Sequence, residues 1–326
     1  MTPTPADYRA AAARLRQAQS IAVLSHIRPD GDAAGSLLGL CGMLTALGKQ
    51  VFPVLADGLP ERFAFLPGAE HVRQALPPGA DLTVAVDCSS PARLGFALEA
   101  LPGELGLNLD HHATNTRFAT LNLVDVQAAA TAEVLHALAR HGGLPLEAGA
   151  ATCLLAGLVS DTIGFRTDNV TPEVLRRAAD LAAAGTPLPE VYDRTLNRRS
   201  LAEALYWGRG LSGLQWEPGL AWVSLSLDDR RRSGYPGDDD ADLINLLTTL
   251  EGAEIALVFV EQTDGRIKVS WRSRSARDVA RLAQSFGGGG HEQAAGAILE
   301  GDLARVTSEV LAATRAALHS APETAR

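Results

Sequence analysis

Long apolar stretches and an excess of basic residues are both missing from this sequence. No run approaches the roughly 20 apolar residues that a membrane-spanning helix needs. The first 20 residues lack a basic start followed by an apolar core, so we expect no secretory signal. The net charge of −9 argues against coating of long duplex DNA through general attraction to phosphates. Small anionic substrates stay open, because a bound cation can invert the local field.

Cysteine is scarce as well. The three cysteines, Cys41, Cys88 and Cys153, are widely spaced, odd in number and set in apolar surroundings. This pattern predicts neither a disulfide framework nor a zinc site. A reducing cytoplasm is the compartment that we expect.

The composition is that of a soluble globular protein, with 46% hydrophobic and 21% charged residues. A chain of 326 residues is long enough for two domains of ordinary size. We predict a first domain over 1–187, a partly helical linker over 188–213 and a second domain over 214–326.

Continuous apolar runs alternate with helical stretches in the first half of the chain. Such runs are typical of strands buried on both faces, so we predict an α/β domain with a mostly parallel, doubly wound sheet between helix layers. The predicted strands span 20–26, 51–56, 81–87 and 105–112. The predicted helices include 128–143, 148–162 and 170–185, the last with Thr171 as its cap and Pro172 at its first position.

The second half reads as a smaller α+β domain. The apolar segments 220–227, 254–262, 266–274 and 294–300 predict strands, and Asp264-Gly265 is a hairpin turn signal. Helices are predicted around 275–287 and at the Ala-rich end of the chain.

Acidic and histidine residues follow four of the apolar runs in the first half. A lone aspartate at such a point, for example Asp87 or Asp161, is usually a helix cap or turn former. The ends of parallel strands share one edge of a sheet, however, so side chains that are distant in sequence would converge there. The residues concerned are His26, Asp30 and Asp32; Asp87; Asp110, His111 and His112; and Asp161.

Converging carboxylates need protons or a cation to offset their repulsion. Oxygen and imidazole ligands without thiolates suit Mn²⁺ or Mg²⁺ better than Zn²⁺ or Fe²⁺. About six ligands predict two metals roughly 3.5–4 Å apart that share one carboxylate, an arrangement that activates water for attack on a phosphoryl group. The residues alone do not allocate ligands to each metal.

Five motifs carry a family resemblance over nearly the whole chain. "SHIRPDGDAAGS", "VDCSS", "LDHHA" and "SDTIGF" resemble the four metal-binding motifs of the DHH phosphoesterase superfamily, and "FGGGGHEQAAGA" resembles the signature of its DHH-associated substrate domain. Their order and spacing are similar to the short members of the nanoRNase A type.

The resemblance implies a Mn²⁺-dependent phosphoesterase, with Mg²⁺ as the alternative ion. It would degrade short oligoribonucleotides to 5′-mononucleotides and convert 3′-phosphoadenosine 5′-phosphate to AMP. Short DNA strands and dinucleotides are further expected substrates. A homodimer through the exposed edge of the fourth strand is one option for its assembly.

Several rival functions stay open. A standalone phosphodiesterase for cyclic dinucleotides such as c-di-AMP, or for linear dinucleotides, can carry the same two domains. A single-strand exonuclease of the RecJ type is disfavoured, because it predicts extra nucleic-acid-binding domains and a basic groove. Pyrophosphatase chemistry is disfavoured by the nucleotide-type second domain, and a catalytically dead sensor by the intact set of ligands.

The resemblance also implies which residue binds which ion. The ligands would be His26 and Asp30 for one Mn²⁺; Asp32, His111 and Asp161 for the other; and Asp87 as the bridge between them.

Two further residues would act on the reaction by the same resemblance. His112 would face the scissile phosphate, as a donor to an oxygen or as general acid, and Asp110 would orient a ligand imidazole.

This sequence departs from the family pattern at two positions. Thr131 stands alone where the family often has a cluster of hydroxyls, and Ser160 stands where threonine is common. We expect neither departure to touch a ligand.

The glycine-rich segment 287–291 and the preceding arginines are candidates for substrate binding. A bare glycine run is often a flexible turn, and arginines on a strand often form a solvated face. The resemblance favours Arg274, Ser275 and His291 as holders of a terminal phosphate or end nucleotide. Further candidates are Gly289 and Gly290, whose amides could bind an anion, and Arg272.

Phe165 and Arg166 follow the fourth metal motif. They would line the cleft near the metals, with Phe165 as a base-stacking platform. The equal alternative is a core phenylalanine and an arginine in a surface ion pair.

Overall fold

The chain folds into two compact units, Met1–Arg198 and Arg199–Arg326. The structure, a computed structural model, describes residues 2–274 and 277–319, with His291 described by its backbone only. The boundary between the units falls inside segment 188–213, which holds helical turns on both sides of it. The roles assigned to the two domains stay predictions.

One parallel sheet organises the first unit. Across residues 2–198, five strands lie in the order β2-β1-β3-β4-β5, and each neighbouring pair runs parallel. The strands are β1 (Ser20–Leu24), β2 (Gln50–Val54), β3 (Leu82–Val86), β4 (Leu105–Asp110) and β5 (Leu121–Val124). The mixed α/β class predicted from the continuous apolar runs is therefore confirmed.

The edge strand β5 was not predicted, because its four residues are too short a run to stand out. It pairs with β4 along its length, from Leu107 opposite Leu121 to Asp110 opposite Val124. The fourth strand therefore lies inside the sheet, and the expectation that its edge is exposed for a homodimer contact was wrong.

Helices cover one face of this sheet. The capping signals of the third predicted helix are confirmed, since the Thr171 hydroxyl accepts a hydrogen bond from the Val174 amide and Pro172 opens the helix. No helix within the described ranges combines the length and apolarity that crossing a membrane requires. The helices are α1 (Pro5–Gln17), α2 (Gly31–Ala46), α3 (Thr131–Gly142), α4 (Ala148–Asp161), α5 (Pro172–Ala183) and α6 (Leu188–Tyr192).

Two cores sandwich the sheet, because successive strand side chains point to opposite faces. Ile21 and Val23 of β1 join the large core shared with the helices. Ala22 and Leu24 join a smaller core on the other face, where connecting segments such as the 3₁₀ turn Pro91–Leu94 supply the cover.

The second unit is built on a mixed sheet. Within 199–274 and 277–319, six strands lie in the order β10-β11-β9-β8-β7-β6, and only β7 and β8 run parallel. The strands are β6 (Gln215–Glu217), β7 (Gly219–Leu225), β8 (Ala253–Glu261), β9 (Arg266–Ser273), β10 (Gly289–His291) and β11 (Ala294–Glu300). The helices are α7 (Leu201–Ser212), α8 (Leu227–Ser233), α9 (Leu243–Leu247), α10 (Val279–Ser285) and α11 (Leu303–His319).

Candidate metal centre

The strand order brings three of the four sequence motifs to one edge of the sheet. β1, β3 and β4 are neighbours, and open α/β sheets bind ligands where the strand connections diverge, beyond the carboxyl ends of the strands. His26 follows β1, Asp87 follows β3, and Asp110 is the last residue of β4. Asp161, from the fourth motif, ends α4.

Asp30 has two tasks in the crowded turn before α2. Its Oδ1 accepts hydrogen bonds from the amides of Asp32 and Ala33, at 3.1 and 3.0 Å, and so caps the helix. Its Oδ2 lies 3.9 Å from Nε2 of His26. Because Oδ1 is held by the helix amides, Oδ2 of Asp30 is left facing His26.

Three groups of potential metal ligands converge here, and one of them, formed by Asp87, His111 and His112, overlaps the two that we name as clusters. We call His26, Asp30 and Asp87 cluster 1, and Asp32, His111 and Asp161 cluster 2; within each, the donor atoms lie within 4.8 Å of one another. In cluster 1, Nε2 of His26 is 3.4 Å from Oδ2 of Asp87. In cluster 2, Nε2 of His111 is 3.3 Å from Oδ2 of Asp161.

Backbone carbonyls orient both imidazoles. Nδ1 of His26 lies 2.8 Å from the carbonyl oxygen of Ile27, and Nδ1 of His111 lies 3.2 Å from that of Ala128. A carbonyl only accepts, so Nδ1 carries the proton in each ring and Nε2 faces the carboxylates. This is the tautomer that ligation through Nε2 needs.

Asp87 connects the two clusters. While its Oδ2 faces His26, its Oδ1 lies 3.8 Å from Nε2 of His111. Its backbone is in the left-handed region, with φ of 51°, which few non-glycine residues adopt. Such strain persists only where the surroundings fix it, and it concentrates at functional sites.

His112 belongs to a chain of hydrogen-bonded side chains beside Asp87. Its Nδ1 donates to Oδ1 of Asp110 at 2.7 Å, and Oδ2 of Asp110 accepts from Nδ2 of Asn115 at 2.5 Å. Asn115 also donates to the carbonyl oxygen of Cys88. Sequence reasoning missed Asn115, because an asparagine in a loop carries no motif of its own.

The first turn of α3 holds Asp32. The amides of Thr131 and Ala132 donate to Oδ2 and Oδ1 of Asp32, at 2.6 and 3.0 Å, and the Ser36 hydroxyl donates to Oδ1 at 3.0 Å. The Thr131 hydroxyl donates to Oδ1 of Asp87 at 2.9 Å. The expectation that Thr131 touches no candidate ligand was wrong, because the contact joins residues 44 positions apart.

The electrostatics of the site fit a cation. Burial raises the pKa of Asp32, and the carboxylates of Asp87 and Asp161 raise it further. Burial lowers the pKa of His26, but the hydrogen bond to Asp87 and the charge of Asp30 outweigh it and raise the pKa to about 9. Positive charge is thus what this group of carboxylates requires, and the oxygen and imidazole donors match a hard divalent ion.

Close packing of α2 on α4 sets the spacing within cluster 2. A Cβ at Gly35 would lie 2.4 Å from the carbonyl oxygen of Cys153. A Cβ at Gly157 would lie 2.7 Å from Oδ1 of Asp32 and 3.0 Å from Cβ of Ala132. Only glycine lets these backbones approach so closely, and the contact brings Asp32 near Asp161 at the end of α4.

Replacing Gly157 with alanine should therefore damage both stability and activity. The added methyl group would push on Asp32 and α3, so we expect a loss of about 1–3 kcal/mol in unfolding free energy, typical of overpacking, and slower hydrolysis. Urea unfolding and turnover measurements check this. Gly208→Ala in α7 is the matched control, because its Cβ would meet nothing within 4 Å, and it should gain roughly 0.5–1 kcal/mol. Wild-type stability and turnover in Gly157→Ala would contradict the close contact.

The glycine-rich segment of the second unit runs from the end of α10 into β10. Gly287 and Gly288 donate their amides to the carbonyl oxygens of Gln284 and Ala283, so these two amides terminate α10. Gly289 and Gly290 lie in β10, where a Cβ at Gly290 would come within 2.4 Å of the carbonyl oxygen of Ala294. The segment is therefore a turn at Gly287 that leads into a short strand over Gly289–His291.

The arginines before this strand differ in their surroundings. Arg272 lies in β9 opposite Ala294 of β11, which in turn pairs with His291, so the register places Arg272 and His291 on either side of Ala294. Arg274 is exposed and donates to the carbonyl oxygen of Thr248 at 2.9 Å. Ser275 and the side chain of His291 lie outside the described part of the structure.

Phe165 and Arg166 follow a left-handed turn after α4. Phe165 has φ of 66° and is partly buried against the large core of the first unit. Its amide donates to the Thr162 hydroxyl at 3.0 Å. Arg166 is exposed.

Two carboxylate–imidazole clusters joined by one aspartate could hold a pair of divalent cations, an arrangement that hydrolases use, and this chain is a metal-dependent hydrolase. Its residues 20–158 match the model of the DHH family, N-terminal domain, and residues 226–320 match that of the DHHA1 domain. The chain belongs to the DHH family.

Relatives over nearly the full length agree with this assignment. A protein of Thermus thermophilus named bifunctional oligoribonuclease and PAP phosphatase NrnA is 40% identical over 301 residues, which cover 90% of this chain and 89% of that one. A Bacillus subtilis protein of the same name is 29% identical, over 83% of this chain and 87% of that one. A solved structure of an exopolyphosphatase-related protein from Bacteroides fragilis has the same fold, with a TM-score of 0.86, 24% identity and coverage of 97% and 96%.

Proposed function

We propose that the chain is a Mn²⁺-dependent phosphoesterase of the cytoplasm. It degrades short oligoribonucleotides to 5′-mononucleotides and removes the 3′-phosphate of 3′-phosphoadenosine 5′-phosphate. The observation that carries the proposal is the position of Asp87, whose two oxygens face separate clusters. The names of the two full-length relatives support the choice of substrates.

Clusters 1 and 2 are the proposed sites of the two ions, with Asp87 as the shared ligand. When bound, the pair lowers the pKa of water and offsets negative charge on the phosphoryl oxygens. The chain supplies the geometry: backbone carbonyls fix the imidazoles, and α2 and α3 fix Asp30 and Asp32 through their first amides.

His112 is the proposed proton donor to the leaving oxygen. Burial lowers the pKa of His112, but the hydrogen bond to Asp110 and the nearby charge of Asp87 outweigh it, so the pKa lies above its ordinary value. With Nδ1 held by Asp110, Nε2 is the nitrogen that we assign to the reacting phosphate. Asn115 keeps Asp110 in place.

The second unit is the proposed substrate-binding domain. Arg274, Ser275 and His291 would bind the end phosphate of the substrate, and the arginine fork suits that contact. Arg272, Gly289 and Gly290 are the neighbouring candidates; Phe165 and Arg166 are those of the first unit. The acidic net charge of −9 supports short strands over long duplexes as substrates.

A substrate panel with the full chain tests the proposal. Metal-stripped protein is supplied with Mn²⁺ or Mg²⁺ and offered RNA dinucleotides, RNA pentanucleotides, a long single strand, 3′-phosphoadenosine 5′-phosphate and c-di-AMP. We expect Mn²⁺-dependent cleavage of the short RNAs, visible with 5′ and 3′ labels, and release of phosphate from 3′-phosphoadenosine 5′-phosphate. Preference for c-di-AMP, or for the long strand, would replace the proposal with the corresponding rival.

A further inference from the structure

One residue, Thr131, contacts carboxylates of both clusters. Its amide donates to Oδ2 of Asp32 at 2.6 Å, and its hydroxyl donates to Oδ1 of Asp87 at 2.9 Å. All three side chains are buried, with at most 1% of each residue exposed. Neither hydrogen bond can therefore be replaced by bulk water without a cost.

The amides of this turn point at a carboxylate that belongs to another helix. The first amides of an α-helix have no partner inside the helix, and Ala130, at the N-cap position of α3, has no polar side chain to offer. Asp32, which lies in α2, caps α3 instead: its Oδ2 and Oδ1 accept hydrogen bonds from the amides of Thr131 and Ala132. The start of α3 thus fixes the orientation of Asp32.

The hydroxyl does the same for Asp87. The last torsion of an aspartate side chain is broad, so its two oxygens exchange roles easily unless a donor holds one of them. An ionised carboxylate only accepts, so the hydroxyl must donate, and it does so on the oxygen that faces His111. The other oxygen is left facing His26.

We propose that Thr131 is the positioning residue that holds the two clusters in a fixed relation to each other. Its amide orients the carboxylate of Asp32 in cluster 2, and its hydroxyl orients the carboxylate of Asp87, which belongs to cluster 1 and faces His111 of cluster 2. The inference rests on the proposed assignment of the clusters as metal sites, and it adds a role to a residue that itself binds no ion.

Metal binding without substrate is the measurement that tests this role. The full chain is stripped of metal and titrated with Mn²⁺ by calorimetry, and the magnetic coupling of the bound pair is followed by electron paramagnetic resonance. Thr131→Val keeps the shape but loses the hydroxyl, Thr131→Ala loses it with less bulk, and Thr131→Ser restores it. Thr83→Val is the matched control, since Thr83 is equally buried but its hydroxyl bonds to the carbonyl oxygen of Gly103.

We expect the second Mn²⁺ to bind roughly 10–100-fold more weakly in Thr131→Val and Thr131→Ala, as for other groups that orient a metal ligand. The coupling signal should weaken with it, while the first Mn²⁺, Thr131→Ser and Thr83→Val stay at wild-type values. If the valine variant does not fold, as judged by its melting curve, the alanine variant carries the comparison.

Two results would overturn the inference. One is wild-type affinity and coupling in the folded variant that lacks the hydroxyl; the other is equal weakening in Thr131→Ser. A wild-type chain that binds no pair of ions would instead remove the proposed function itself, so the two failures are distinguishable.

Discussion

Asp87→Asn should abolish cleavage of dinucleotides and of 3′-phosphoadenosine 5′-phosphate together. The amide nitrogen cannot replace a carboxylate oxygen as ligand, so one of the two clusters that Asp87 joins loses its shared donor. A paired metal site contributes several kcal/mol to such reactions, so we expect both rates to fall by roughly 10³-fold or more. Initial rates with saturating Mn²⁺ on each substrate check this.

Glu99→Gln is the control for the loss of one negative charge, because Glu99 is exposed in a turn of the same unit. It should keep wild-type rates on both substrates. Retention of either activity in Asp87→Asn would mean that this activity does not use the shared site, and the two-metal assignment would fall for that substrate.

His112→Gln should slow the chemical step while leaving metal binding largely intact. A positioned general acid contributes about 10²–10⁴-fold, so kcat should fall within that range on dinucleotide substrates, with KM changed much less. A substrate whose leaving group needs no proton, such as a nitrophenyl ester of a nucleotide, should lose far less. Comparison of kcat on the two substrates separates proton donation from a contact with a non-bridging oxygen.

His71→Gln is the control for histidine replacement, since His71 is exposed at a 3₁₀ turn and pairs only with its neighbour Glu70 among the described residues. It should behave as wild type on both substrates. Equal losses on both substrates in His112→Gln would assign His112 to phosphate binding instead. Loss of Mn²⁺ binding would make it a ligand.

The sequence predicts best where a single local pattern decides the structure. Continuous apolar runs located four strands of the first sheet, and Thr171 with Pro172 located the start of α5. Local patterns failed where pairing outweighs propensity, as in β10: its glycines disfavour a strand, but the close approach of Ala294 requires glycine at position 290.

The same limit applies to the candidate metal centre. The acids and histidines of the motifs could be named because each follows an apolar run, and the sheet order then explains why they meet. Thr131 and Asn115 could not be found this way, because their contacts depend on α3 and the loop after β4 returning to the same edge of the sheet.

Asp30 both caps α2 and faces the metal-ligand cluster, and the capping role constrains how this chain could evolve. One oxygen begins α2 and the other faces the cluster, so a descendant that abandoned hydrolysis would still need a hydrogen-bond acceptor at that position to start its longest buried helix. Asparagine, serine or threonine would meet that need, whereas alanine would cost about 1 kcal/mol. If catalysis is lost during evolution, we therefore expect residue 30 to stay polar, because the start of α2 still needs its capping hydrogen bonds.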